Sequence, residues 1–147
     1  MIRGPNVLLV HPSIPATSVT EFVAHLKRNP GRLAYGSSGV GQSPHLSGVW
    51  FTQLTGTEAT HVPFRGAGPL MIDLIAGNIQ FSFDNLTTSV QQIRAGQVRA
   101  LAVTSADRSA LLPELPAMRE AMPELASYEV NTWFGMFAAA GTPPAAI

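Results

Sequence analysis

The sequence predicts an α/β protein in three layers, with a mainly parallel β-sheet flanked by helices on both faces. Short apolar runs alternate with segments of helical periodicity, which is the pattern of right-handed βαβ units. The chain has 147 residues, of which 46% are hydrophobic and 12% charged, so it is long enough to bury one core. We therefore expect residues 1–147 to form a single domain.

Charge and composition argue against several classes of function. Nine basic and nine acidic residues cancel without a visible cluster of Lys or Arg, so we expect no nucleic-acid partner. The chain has no cysteine, and its four histidines lie on separate predicted elements, so we expect no metal ion and no cofactor. No apolar run approaches the ~20 residues that span a bilayer.

The chain begins with a predicted strand and a predicted helix. Residues 6–11 contain a continuous apolar run and predict a short buried strand. Residues 18–21 have the sequence of a capping box, and the helix they start ends at residues 29–31. Its apolar face consists of Val19, Phe22, Val23 and Leu26.

A loop rich in glycine and serine, residues 36–42, follows a strand predicted at residues 33–35. We expect Ser43 to be the N-cap and Pro44 the first residue of a helix that Gly56 ends. Its predicted packing face is Leu46, Val49, Trp50 and Leu54. Because glycine backbones and the first turn of a helix expose N–H donors, this loop is a candidate anion site; a structural turn with a good cap is the alternative.

The same stretch has the spacing of a nucleotide-binding P-loop, with one decisive departure. Gln42 stands where that motif needs the lysine that reaches the phosphates, and the glycine spacing does not fit the dinucleotide fingerprint. We therefore do not predict nucleotide binding.

Two further strands end in loops of the same kind. The strand at residues 59–64 leads into residues 65–68 and a helix that we expect to start at Pro69 and to end at Gly77. The strand at residues 79–83 leads into Asp84 and a helix capped by Thr87 or Thr88. Ligands of parallel sheets bind at the carboxyl ends of strands, so the three loops are expected to meet at one rim.

The last third of the sequence predicts another buried strand and less regular structure. Residues 98–104 are almost continuously apolar, as in a strand covered on both faces. A loop at residues 105–116, a short helix at 117–121 and a strand-like run at 128–138 follow. We expect Trp133 to have a packing role rather than to contact a ligand, and residues 141–147 to form a linker and the start of a further helix.

Six segments, in this order and spacing, resemble motifs of the Bug-type solute-binding proteins of tripartite tricarboxylate transporters. They are residues 6–12, residues 35–39 with Ser43 and His45, and residues 61–66, 83–85, 99–104 and 133–135. The resemblance extends over essentially the whole chain. It implies that residues 1–147 resemble one domain of a type II periplasmic binding protein, namely the second, ligand-binding domain, with the first domain absent.

The resemblance also implies a function, a location and partners. It implies binding of a small organic carboxylate for uptake by the transporter, with the membrane permease subunits as partners. The location would be periplasmic; because residues 1–30 lack the pattern of a signal peptide, it would be cytoplasmic if this is the complete product. The alternative is a truncated protein that binds no solute and acts only as an oligomerising or partner-binding domain. A lone domain exposes apolar surface, which predicts a homo-oligomer.

The candidate ligand-binding residues are Ser37, Ser38, Gly39, Ser43, His45, Phe64, Arg65, Gly66, Asp84 and Asn85. By resemblance, residues 37–39 contact a ligand carboxylate and Ser43 holds the helix start. Asp84 either accepts a hydrogen bond from a ligand hydroxyl, amine or water, or caps the following helix. Phe64 and Arg65 could instead be a core side chain and a solvated charge, and His45 could have no role in the site.

We expect no enzymatic activity and name no catalytic residue. The sequence has no Gly-x-Ser-x-Gly elbow, no paired carboxylates and no metal cluster. If the chain were an enzyme, Asp84 and His45 would be its acid and base.

Overall fold

The computed structural model of the protein describes residues 2–135 and 137–143. Its elements in chain order are β1 (Ile2–Val10), α1 (Val19–Arg28), β2 (Ala34–Ser37), α2 (Ser43–Thr55), β3 (Thr60–Pro63), α3 (Ala67–Ala76), β4 (Phe81–Asn85), α4 (Leu86–Arg94), β5 (Arg99–Val103), α5 (Met118–Ala121) and β6 (Asn131–Phe134). The predicted α/β fold is confirmed. Among the described residues, no helix combines the length and apolarity needed to cross a membrane.

The sheet has the strand order β3-β2-β4-β1-β5, and β6 pairs with β1. Strand β2 is parallel to β3 and β4, as the βαβ pattern predicts. Strand β1 is antiparallel to β4, β5 and β6, so the sheet as a whole is mixed. The βαβ pattern of β1, α1 and β2 predicts that β1 is parallel to the other strands, and for β1 this prediction is wrong.

Two cores lie on opposite faces of the sheet, and β1 contributes to both. Its side chains alternate, so that Leu8 and Val10 face one core and Val7 and Leu9 face the other. Helices α1 and α2 cover the first face, and α3 and α4 cover the second. This arrangement confirms the three predicted layers.

Helix α2 begins and packs differently from the prediction. It starts at Ser43 and its N-cap is Gln42, so Ser43 is not the cap. Its buried residues are Pro44, Ser47, Gly48, Phe51 and Thr55, whereas Leu46 is 51% exposed. Of the predicted packing face, Trp50 and Leu54 do pack against the core, whereas Leu46 does not. The helix also places Gly48 against the sheet, so close to the Tyr35 ring that a Cβ there would overlap it.

The starts of α3 and α4 also correct the sequence analysis. Helix α3 begins at Ala67, before Pro69, with Gly66 as its N-cap at φ 106°, a conformation that favours glycine. Helix α4 is capped by Asn85, whose Oδ1 accepts from the Thr87 backbone N–H at 3.3 Å. The expected caps at Thr87 and Thr88 are wrong because the helix starts before both.

Strand β1 is longer than predicted because its first half has its own partner. Residues 2–5 pair with β6, whereas residues 6–10 pair with β4. Residue Asn6 lies opposite Asn85, at the carboxyl end of β4, so the first half of β1 extends past that edge of the sheet. Of the further helix expected after residue 141, residues 144–147 lie outside the described structure.

Candidate functional site

A cavity of about 920 Å³ lies at the carboxyl ends of β2 and β4. It is lined by Asn6, Ser38, Gly41, Gln42, Ser43, Pro44, Leu46, Arg65, Gly66, Ala67, Asp84, Asn85, Thr88, Val130, Asn131, Thr132, Trp133 and Phe134. The three loops predicted to meet at one rim, around Ser38, Arg65 and Asp84, therefore do share a cavity. Strand direction explains this, because β2, β3 and β4 all end at the same edge.

Each of these three loops leads directly into a helix. Helices α2, α3 and α4 start at Ser43, Ala67 and Leu86, each next to residues that line the cavity. The first turn of a helix has N–H groups without intrahelical partners and carries the positive end of the helix dipole. One cavity is thus bordered by three helix N-termini, which favours an anionic ligand.

The glycine loop is held to the second loop by backbone hydrogen bonds. The Ser37 carbonyl accepts from the Phe64 N–H at 2.8 Å, and the Ser38 carbonyl accepts from the Gly66 N–H at 3.2 Å. The Ser38 hydroxyl donates to Gln42 Oε1 at 2.9 Å. These contacts fix the loop next to α3, with Ser38 on the cavity wall.

Several predicted site residues lie outside the cavity lining. Ser37 is fully buried and its hydroxyl contacts His61 and the Gly39 carbonyl. His45 turns back to accept from the Gly41 N–H at 3.0 Å. Phe64 packs against the core between the sheet and α3. Ser37, Gly39, His45 and Phe64 thus lie behind the cavity wall, whereas Ser38, Ser43, Arg65, Gly66, Asp84 and Asn85 form part of it.

Asp84 is a buried carboxyl group on the cavity wall, with only 2% of its surface exposed. Its Oδ2 accepts from the Ser89 hydroxyl at 2.8 Å and from the Thr88 hydroxyl at 3.4 Å. Burial raises the pKa of Asp84, and the hydrogen bonds from Ser89, the Asn85 backbone and Thr88 act in the opposite direction. Asp84 therefore offers a hydrogen-bond acceptor to the cavity, and protonation would turn it into a donor.

Arg65 supplies the positively charged side chain of the cavity lining. Within the described part of the chain, the ion pairs are Arg108–Glu120 at 2.8 Å and Arg119–Asp107 at 3.0 Å, and neither contributes to the cavity. The exposed Arg65 guanidinium is thus not engaged by a described carboxylate.

The sequence analysis missed a wall of the cavity formed by residues 130–134 and Asn6. Trp133, for which we expect a packing role, lies on this wall and is 56% exposed. Strand β6 reaches the cavity by pairing with the first half of β1, and no local pattern shows that contact. Asn6 could have been noticed as a polar residue that opens an apolar run.

The acid and base considered for an enzyme are engaged elsewhere. His45 accepts from Gly41 and stacks on His61, whereas the hydrogen bonds of the Asp84 carboxylate come from Ser89 and Thr88. No hydrogen bond joins the His45 and Asp84 side chains, both of which the structure describes.

Two related proteins show how much of a longer chain this sequence matches. It is 41% identical over 139 residues to "UPF0065 protein in tcbD-tcbE intergenic region" of Pseudomonas sp. (strain P51), covering 95% of this chain and 41% of that protein. It is 33% identical over 141 residues to the protein BugT of Bordetella pertussis, covering 95% of this chain and 42% of BugT. The chain thus spans less than half the length of these relatives.

Two solved structures share the fold. "R. palustris Rpa4515 with adipate" superposes with a TM-score of 0.94 at 40% identity, over 97% of this chain and 47% of that one. MatC from Rhodopseudomonas palustris with bound malate superposes with a TM-score of 0.88 at 29% identity, over 96% of this chain and 47% of MatC.

The family described as "Tripartite tricarboxylate transporter family receptor" matches this sequence over residues 1–147. The match covers the whole sequence, and the relatives and structures agree with the predicted resemblance. The chain therefore belongs to the receptor family of tripartite tricarboxylate transporters and is a protein of the Bug type.

Proposed function

We propose that the chain binds a small organic carboxylate, as the second of two domains of a solute-binding protein that serves a tripartite tricarboxylate transporter. The observation that carries the proposal is the single cavity bordered by the N-termini of α2, α3 and α4 and by Arg65. Two similar structures hold a dicarboxylate, adipate in one and malate in the other. The match to a family of receptors supports a binding role, and a role without turnover is part of this proposal.

The cavity has complementary chemistry at its different walls. Unpaired N–H groups at the helix starts and the Arg65 guanidinium suit a carboxylate. Asp84 suits a hydroxyl, an amine or a bound water, because its ionised carboxylate can only accept hydrogen bonds. We therefore expect acids that carry a hydroxyl group to bind better than the same acids without it.

The division into two domains is supported by coverage. The chain matches 47% of the length of Rpa4515 and of MatC. In a protein of that length, the remaining half would form the opposite wall of this open cavity. The membrane permease subunits of the transporter and a periplasmic location belong to this same proposal.

A second candidate function is favoured by apolar side chains beside the cavity. Trp133 and Phe134 are each 56% exposed and Phe137 is 84% exposed. Exposed aromatic side chains of this kind mark surfaces that associate. The alternative is thus a domain that binds no solute and assembles with itself or with a partner, and light scattering at micromolar concentration tests for a homo-oligomer.

A thermal-shift screen tests the proposed function. The purified chain is heated with millimolar adipate, malate or succinate, and with the neutral diamide of adipate as the control. A ligand at 100 times its Kd adds about 2.7 kcal/mol to the free energy of unfolding. A rise in Tm with the acids but not with the diamide is expected. Equal shifts with acid and diamide, or no shift with any acid, would refute carboxylate binding by this chain.

A further inference from the structure

Two histidines stack on each other directly behind the glycine loop. The ring centroids of His45, on α2, and His61, on β3, are 4.3 Å apart with an angle of 30° between the planes. The ring of Tyr35, on β2, lies against His61 with its centroid 4.8 Å away. Neither imidazole lines the cavity, so neither is accounted for by direct ligand contact.

His45 holds one end of the glycine loop. Its Nδ1 accepts from the Gly41 N–H at 3.0 Å, and it is the third residue of a helix whose N-cap, Gln42, makes no side-chain capping bond. The side chain thus reaches back as the third residue of a capping box does, but to the residue before the N-cap. The bond needs a lone pair on Nδ1, so it exists only while Nδ1 is unprotonated.

His61 holds the other end of the loop through a hydroxyl group. Its Nε2 is 2.7 Å from the Ser37 hydroxyl, and that hydroxyl is 3.3 Å from the Gly39 carbonyl. Both contacts are hydrogen bonds when Nε2–H of His61 donates to the Ser37 hydroxyl and that hydroxyl donates to the Gly39 carbonyl. The two imidazoles therefore secure both ends of residues 39–41, where Gly41 has φ +82°.

We propose that the stacked pair of His45 and His61 positions residues 39–41 and makes carboxylate binding depend on pH, because protonation of His45 at Nδ1 breaks its bond with the Gly41 N–H and releases this loop. Gly41 lines the candidate cavity and Gly39 precedes it, so a released loop loses the wall that carries Ser38 and Gly41. The binding part of this inference rests on the proposed function.

When one of the two imidazoles is protonated, the surroundings disfavour protonation of the other. Stacked imidazolium rings repel each other, and His45 lies at the positive end of α2. Burial and the charge of His45 lower the pKa of His61. Among the described residues, neither imidazole forms an ion pair with a carboxylate. Tyr35 stays neutral because burial raises its pKa, and the positive charge of Arg65 belongs to the cavity lining, to which neither imidazole contributes.

Amide NMR of the whole chain tests, without any ligand, whether protonation releases the loop of residues 39–41. The Gly41 amide resonance is followed from pH 7.5 to 5.5 in the wild type and in His45→Asn, which keeps an acceptor near the Nδ1 position but does not titrate there. We expect the wild-type resonance to move and its protection from hydrogen exchange to fall as the pH is lowered, and both to stay constant in the variant. A wild-type Gly41 amide that behaves as in the variant at every pH would overturn the inference.

Calorimetry with adipate and malate tests the effect on binding. A group with the ordinary histidine pKa of ~6.5 gives an affinity loss of about tenfold from pH 7.5 to 5.5, and a lowered pKa gives less. The double variant His45→Asn with His61→Gln should lose less than half of what the wild type loses, while His25→Gln, on α1, should behave as the wild type. Protonation of the ligand affects every variant alike.

The outcomes separate this inference from the proposed function. If the affinity for the acids depends equally on pH in the wild type and in the double variant, this inference is overturned although the acids bind. If neither acid binds at any pH, the proposed function fails together with the binding part of this inference, and the Gly41 amide still decides whether the pair positions the loop.

Discussion

Asp84 shows how one residue links the stability of the protein to the chemistry of its cavity. Burial raises the pKa of this carboxyl group above its ordinary value of 3.8. A raised pKa means that the folded state holds the proton more tightly than the unfolded state. Ionisation of the buried Asp84 carboxyl group therefore lowers the free energy of unfolding as the pH rises above 3.8.

Replacing Asp84 by Asn removes that charge and keeps an oxygen that can accept from Ser89. We expect the free energy of unfolding of Asp84→Asn, relative to the wild type, to be higher at pH 7 than at pH 4. The reason is that the carboxyl group at position 84 ionises between these pH values, whereas the amide of the variant does not. Urea denaturation at both pH values measures this. A difference that does not grow with pH would show that Asp84 is not penalised by burial. The variant should also bind malate and succinate more equally than the wild type does.

Ser38 is the residue at which bulk should obstruct the cavity with least damage to the core. It is half-buried on the cavity wall, and its hydroxyl bonds only Gln42. Ser38→Trp is expected to weaken adipate binding at least tenfold in calorimetry while Tm changes little. Ser127→Trp, at an exposed position outside the cavity lining, is the matched control. Unchanged affinity in Ser38→Trp would remove Ser38 from the site.

The sequence predicted the residues of the cavity lining that follow a strand end and missed those that depend on pairing. Ser38, Arg65 and Asp84 line the cavity because strand direction places them at one edge. Ser37 and His45 have the same polar character but point behind the wall, into the contacts with His61. Which side of a loop a short polar side chain faces is decided by packing, and sequence pattern does not show it.

At the scale of elements, helix α2 shows why a periodic pattern can indicate a packing face only in part. Trp50 and Leu54 pack against the core as predicted, yet the helix exposes Leu46 and buries Ser47 and Gly48 against the sheet. The close approach of α2 to Tyr35 requires glycine at position 48. Because Ser47 and Gly48 are small and not hydrophobic, the hydrophobic periodicity of the sequence does not reveal that they are buried. The helix itself, its end at Gly56 and its position after the glycine loop were all predicted correctly.

Paired glycine substitutions test this packing. Gly48→Ala should lower the free energy of unfolding by about 1 to 3 kcal/mol, because the added methyl group overlaps Tyr35. Gly68→Ala, in the first turn of α3 with nothing near the added carbon, should be neutral or stabilising by up to about 1 kcal/mol. Urea denaturation compares them. Similar effects of the two substitutions would contradict the close contact between α2 and β2.

Strand β1 was predicted in place but not in length or direction. Its apolar run identified residues 7–10, whereas Gly4 and Pro5 interrupt the pattern where the strand continues. Proline is tolerated there because the partner of this half is β6 alone. Pairing between the two ends of the chain builds the aromatic wall of the cavity, and this non-local contact leaves no trace in either segment alone.

At the scale of the whole molecule, the α/β fold was predictable because apolar runs, helical periodicity and glycine stops agree with it. The starts of α2, α3 and α4 were misplaced by a few residues without altering the fold, and the family resemblance covers the same residues. The structure adds the wall of Trp133 and Phe134, which borders the cavity and is exposed in this chain. A protein with the length of Rpa4515 would have a second half available to cover it.

Backbone amide chemical shifts test whether the three helix starts form one carboxylate site. In a titration of the ¹⁵N-labelled protein with malate, we expect saturable shifts at residues 41–43, 66–67 and 86–87, and none at the separate hollow formed by residues 93–100 with Pro12 and Leu115. Shifts confined to one of the three helix starts, shifts at the other hollow, or no shifts in a folded sample would contradict it.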